Sequence, residues 1–235
     1  MTAIAVPCPP PGATAKFDHL LADSSMQETD ISRLIAAVCQ DTILAAAASG
    51  GEPLIVPLEL EQSLPGWADT QQVVGEFRSA ISEDAETIPL TSTIDETEHW
   101  FEDLLGIARQ QSDAASVGIV VPKTPLVQRR HLDAAAMRLR RNEITLGPST
   151  GGDWYFVGSQ RDVTLSLADA RGKTQSILDA LDSEHSIASL PFLPGYETVE
   201  SLSALQTLIA LARETGAPAA PHTEQWFAEV ALSNL

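Results

Sequence analysis

Little in this chain could staple it, span a bilayer or grip a polyanion. Cysteine occurs twice, at Cys8 and Cys39, with no CxxC pair; this excludes a disulfide framework and suits a reducing cytosol. The five histidines, His19, His99, His131, His185 and His222, show no HxxxH spacing and no cysteine partner, which argues against a zinc site. No apolar run approaches the ~18 residues of a membrane span. The opening stretch, residues 1–12, has a short apolar run and no basic region ahead of it, so it reads as a first strand and not as a signal peptide. The expectation is a cytoplasmic protein.

Positive charge is the scarcest commodity. Only Lys16, Lys123 and Lys173 are lysines, and 14 basic residues face 32 acidic ones, a net charge of −18. The acids are scattered over helix faces and loops. Such a surface stays hydrated in molar salt, where a Debye length of ~3 Å screens the self-repulsion. This points to a host with a high-salt cytoplasm. It also argues against nucleic-acid binding, which needs a basic face to displace counterions. The one basic cluster is Arg129, Arg130, Arg138, Arg140 and Arg141. It serves either as helix-end charge compatible with the dipole or as a surface for an anion or a partner.

What is present is a β–α alternation over 235 residues, enough for one α/β domain, residues 1–235, with no internal repeat and no interdomain linker. Strands are predicted at Thr2–Val6, at 54–58 with Pro57 as a break, at Thr87–Leu90, at Val117–Val121, at 143–146, at 153–157 and at 187–193. The run Val117–Val121 has the continuous apolar character of a central parallel strand. Helices are predicted from an Asp30 N-cap to Gly50-Gly51, at about 70–82, from the capping box Thr93–Glu96 through Trp100, Leu104, Leu105 and Ala108, at 129–141, 174–183, 198–214 and 223–233. Trp226, Phe227 and Val230 are expected to pack inward. The fold class is a three-layer α/β/α sandwich with a mostly parallel central sheet.

In open α/β sheets ligands sit beyond the carboxyl ends of the strands. Three such ends carry chemistry here: the loop after Val6, the loop after Val121, and residues 147–153. The first, Pro7-Cys8-Pro9-Pro10-Pro11-Gly12, is poor in backbone N–H donors because proline has none. By its own residues it reads as a structural loop, with Lys16 the one cation that follows closely in sequence. The second, Val121-Pro122-Lys123-Thr124-Pro125, places one of the three lysines at a strand end. The third, Gly147-Pro148-Ser149-Thr150-Gly151-Gly152-Asp153, contains the literal pattern GxSxG. A hydrolase elbow needs a helix after the serine, however, and the run Asp153–Val157 is extended. Asp153 stands as a general base, a carboxylate ligand or an exposed strand start.

The stretch Leu146-Gly147-Pro148 with Gly152, Tyr155 and Gly158 resembles a motif of the GT-A-like glycosyltransferases of the selenium-domain-associated type, within the nucleotide-diphospho-sugar transferases. That motif reads L-G-P-x-x-D-G-G-Y-Y-L-I-G. Pro9 and Gly12 match the family's phosphate-binding opening, and Leu190-Pro191-Phe192-Leu193 with Thr198, Glu200 and Leu202 resembles its L-P-x-L-x-D-V-D-T-P-E-D-L. In that motif Gly195 replaces the first Asp and Glu197 the second, which before Thr198 favours the helix start through the dipole. The resemblance implies a nucleotide or nucleotide-sugar ligand and a Mg²⁺ or Mn²⁺ ion. The family's metal-ligating Asp, however, is here Lys123, whose ammonium offers donors only; no metal ligand set is therefore assigned. The implied roles are Lys123 and Lys16 on phosphate, with Gly12, Ser149, Thr150, Gly151 and Gly152 around it, and Asp153 as base or ligand. The alternative is a non-catalytic descendant used for binding or assembly, for which a homo-oligomer is compatible.

Overall fold

The computed structural model describes residues 1–8, 20, 22, 26–57, 100–150, 153–163, 185–217 and 220–230. The expected helices at 70–82 and 174–183, the strand at 87–90 and the capping box at 93–96 lie outside them.

Six strands form one mixed sheet: β1 (Thr2–Cys8), β2 (Glu52–Pro57), β3 (Ser116–Val120), β4 (Ile144–Pro148), β5 (Trp154–Gln160) and β6 (Ile187–Ser189). Their order is β2-β1-β3-β5-β4-β6. The pairings β1–β2, β1–β3 and β4–β6 are parallel, whereas β5 runs antiparallel to both β3 and β4. The expected mostly parallel sheet is thus found. Val117–Val121 is found as the central strand expected: β3 is fully buried and pairs in parallel with β1, while its other neighbour is the antiparallel β5. The short hairpin between β4 and β5 forces this, since a parallel return would require a long crossover.

The helices are α1 (Glu28–Ala48), α2 (Trp100–Gln111), α3 (Arg129–Leu139), α4 (Val199–Glu214) and α5 (Pro221–Glu229). Two apolar clusters cover the two sheet faces and make the three layers. One joins Ile4, Val6, Val120, Tyr155 and Phe156 to α1, α3, α4 and α5 through residues such as Leu34, Leu132, Leu205 and Trp226. The other joins Ala3, Ala5, Val117, Ile119 and Trp154 to Leu104, Leu105 and Ala108 of α2. The period-2 alternation of β1 and the period-3.6 stripes of the helices account for this partition.

One helix start differs from expectation and a second is capped in the same way. Asp30 is not the N-cap of α1; Gln27 is, and Asp30 at N3 receives the Gln27 backbone N–H at 3.4 Å. This reciprocal capping extends the helix by most of a turn. Likewise α3 is capped by Gln128, with His131 at N3 accepting the Gln128 N–H on Nδ1 at 3.1 Å. By length and composition α1 could cross a membrane, with mean hydropathy 1.4 over its most apolar window, yet 72% of that window is buried inside the fold. It is the principal core helix, packed mainly against α5.

Candidate functional site

Because β1, β3, β4 and β6 all point the same way, the segments that follow them lie along one edge of the sheet. The chain leaves β1 toward β2 on one side and returns as β3 on the other, so the topological switch falls between β1 and β3. Ligand crevices in open α/β sheets form at such a point. The loop carrying Lys123 follows β3 there.

Lys123 is buried, its side chain only 10% exposed, and its Nζ forms an ion pair with Oδ2 of Asp153, itself 26% exposed. The ammonium also stands 6.0 Å from the centroid of the Trp154 ring, at the outer reach of a cation–π contact. The structure therefore brings together the two residues the sequence singled out for chemistry. It differs from the reading of Asp153 as an exposed strand start.

A β-bulge sets this geometry. Pro148 pairs with Trp154 while Gly147 pairs with Phe156, so Tyr155 is an extra residue on β5. Proline at 148 has no N–H to give the ladder, which removes one bond at the irregularity. Tyr155 and Phe156 consequently face the same cluster, and Trp154 faces the opposite one. The Tyr155 carbonyl accepts the Val121 N–H at 2.8 Å, which ties the lysine loop to the bulge. Nothing in the spacing of Trp154 marked it as a site residue; Pro148 inside a strand was the available signal.

Ser149 and Thr150 are occupied by protein partners. The buried Ser149 hydroxyl donates to the Leu193 carbonyl at 2.9 Å, and the two residues form a bridge between the β4 and β6 ends. Thr150 Oγ1 donates to Glu197 Oε2 at 2.8 Å and accepts the Gly195 N–H at 2.9 Å. Glu197, whose only sequence rationale was the dipole of α4, thus braces the turn at Thr150. Nor is it the α4 cap: Thr198 is, accepting the Ser201 N–H at 3.2 Å. The Ser149 N–H reaches the Asp153 carbonyl at 2.7 Å and closes the turn that carries Asp153. Tyr196, fully buried, donates to the Pro122 carbonyl at 3.3 Å beside Lys123, and burial pushes its phenol well above its ordinary range. Gly12, Lys16, Gly151 and Gly152 lie outside the described residues.

Two glycines of the matched motif, Gly147 and Gly158, are explained by packing. A Cβ at Gly147 would stand 2.8 Å from Tyr155 Cζ, and one at Gly158 would stand 2.9 Å from Leu139 Cδ1. Neither has a positive φ; among the described glycines only Gly216 does, at 66° past the end of α4.

Among the described residues the strand-end groups do not fit a divalent metal. The strand-end position holds an ammonium, and the nearest carboxylate, Asp153, is already engaged by it. Among the described residues no three His, Cys, Asp or Glu side chains gather to hold a metal ion. A hard cation wants several oxygen ligands.

Against known proteins the chain is recognisable by shape and not by sequence. No family model matches it, and no curated protein does. Among solved structures it is similar to a "putative nucleotide-diphospho-sugar transferase" from Desulfovibrio desulfuricans G20, with a TM-score of 0.68 at 14% identity over 97% of this chain and 94% of that one. Weaker likenesses are to a CMP:2-keto-3-deoxy-manno-octonic acid synthetase complexed with CTP, TM-score 0.46 at 13% identity over 89% of this chain and 98% of that one, and to a mycobacterial protein from Mycobacterium sp. strain JC1, TM-score 0.47 at 13% identity over 91% and 98%. The first of these shows that the chain shares the fold of that protein.

Proposed function

We propose that this chain binds a nucleotide or nucleotide-sugar at the carboxyl edge of its sheet, and that Lys123 does there by direct charge what a metal ion would otherwise do. One observation carries the reading: a buried lysine, one of three in an acidic chain, stands at the topological switch point with a carboxylate beside it. The shared fold and the strand-end motifs support it.

In this reading an incoming phosphate oxygen takes the place of Asp153 on the Lys123 ammonium. A phosphate offers the same hydrogen-bond acceptor chemistry with more negative charge. Inside a largely desolvated site the ammonium stabilises charge growing on a leaving phosphate. Asp153, released from the pair, then accepts a proton from an acceptor hydroxyl. If the chain is catalytic, the reaction class is glycosyl or nucleotidyl transfer.

A second reading has a specific observation in its favour. The Lys123–Asp153 pair is closed and its lysine buried, as a purely structural ion pair would be, which suits a non-catalytic binding or assembly protein. Thermal shifts in molar KCl against UDP, GDP, CDP, ADP and their sugars, each with and without Mn²⁺, separate the two. A selective ligand raises the melting temperature by mass action. The proposal expects stabilisation by one nucleotide class, unchanged by Mn²⁺. No shift with any of them favours the structural pair.

A further inference from the structure

The outward face of α3 inverts the charge of the molecule around it. Five of the 14 basic residues fall within the thirteen positions 129–141. Arg138 is spent on the Ser189 carbonyl, and Arg129 on Asp133 at 3.1 Å. Asp133, the acid of this helix, is also spent: its Oδ1 accepts the Gly50 N–H at 2.8 Å. Among the described residues Arg130, Arg140 and Arg141 are exposed and form no ion pair. Met137, 60% exposed, lies between them. Arg130 precedes it by seven residues and Arg141 follows it by four, so the three share one face of the helix and the turn that ends it.

We propose that this face docks an acidic amphipathic helix of another protein, whose carboxylates meet Arg130, Arg140 and Arg141 and whose apolar stripe covers Met137. Charge complementarity selects the partner. A methionine framed by arginines is a common composition for the buried centre of a protein interface. A nucleic acid would extend beyond the patch onto the surrounding acidic surface, whereas a short segment samples only the local field within a Debye length of ~8 Å. A second copy docked through the same face would set arginine against arginine.

The test uses the full chain and a fluorescein-labelled synthetic amphipathic helix with one leucine stripe flanked by glutamates. Anisotropy is read against a scrambled peptide and a single-stranded DNA oligonucleotide. Binding of the amphipathic peptide is expected to weaken about tenfold or more in Arg130→Glu/Arg141→Glu and in Met137→Asp, the size of a lost anchor. Melting curves should show all variants folded, since these side chains are exposed. Absence of peptide binding, or equal binding to the variants, overturns the proposal. So does tighter binding of the DNA that is indifferent to Met137→Asp, which would make the face a polyanion site. Self-association abolished by Met137→Asp in sedimentation velocity would overturn it in favour of a second copy.

Discussion

A single atom decides several positions in the centre of the sheet. Gly118 and Gly158 face each other across β3 and β5, and a Cβ on Gly118 would stand 2.4 Å from Phe156 Cζ. The ring fills the space that two missing side chains leave. Gly118→Ala should therefore destabilise the fold by about 1–3 kcal/mol through overpacking, read as a lower urea midpoint at unchanged slope. His131 gives a second outcome at this scale. Burial first, then the nearby Arg130 charge, holds its imidazole below the ordinary 6.5, and the neutral ring accepts the Gln128 N–H that starts α3. The unfolded chain binds this proton more readily than the folded one. Stability is thus complete above about pH 6.5 and falls as pH drops from there toward the folded value. A His131→Gln variant should lose that part of the pH slope in denaturation measured between neutral and mildly acid pH.

At the scale of elements, the segments that matter most were legible wherever one period dominated. The apolar run at 117–121 and the stripes of α1, α2 and α3 could be read directly, because burial on one or both faces writes itself into residue spacing. What the sequence could not disclose depended on contacts between distant segments. The bulge at Tyr155, the brace from Glu197 to Thr150 and the ring of Trp154 beside Lys123 all arise from pairing between strands, not from local pattern. The cap of α5 is of the same kind. Its start is held not by its own N-cap but by Asp41 of α1, whose carboxylate accepts the His222 N–H at 3.0 Å, the Thr223 N–H at 2.9 Å and the Thr223 hydroxyl at 2.7 Å. Burial nevertheless pushes the Asp41 carboxyl upward, so the cap is bought against desolvation. Asp41→Ala leaves three donors without a partner. It should cost about 1–2 kcal/mol and loosen α5 first, seen as faster amide exchange at Thr223 than in α1.

For the whole molecule, the charge imbalance dominates. With 32 acids and 14 bases, self-repulsion works against the compact state whenever counterions are few, and salt screens it. The melting temperature should climb steadily between millimolar and molar KCl; a flat response would remove the case for adaptation to salt. In the proposed reading the same imbalance sets the candidate site apart, since a nucleotide diphosphate would approach an acidic body and meet the charge of Lys123 at the sheet edge. The parallel character of the sheet was legible in the β–α alternation, but the antiparallel place of β5 between β3 and β4 was not. Nor was the ion pair with Asp153, as it joins residues thirty apart across the sheet.

The most direct measurement is calorimetric titration of the stabilising nucleotide diphosphate into the native chain and into Lys123→Ala, with melting curves to confirm that the variant is folded, each with Mn²⁺ and with EDTA. Binding in the native chain that is indifferent to Mn²⁺, and weaker by about tenfold or more in the variant, is the predicted result; losing a charged hydrogen-bond partner costs on this scale. Unchanged affinity in Lys123→Ala, or binding that appears only with Mn²⁺, would contradict the account.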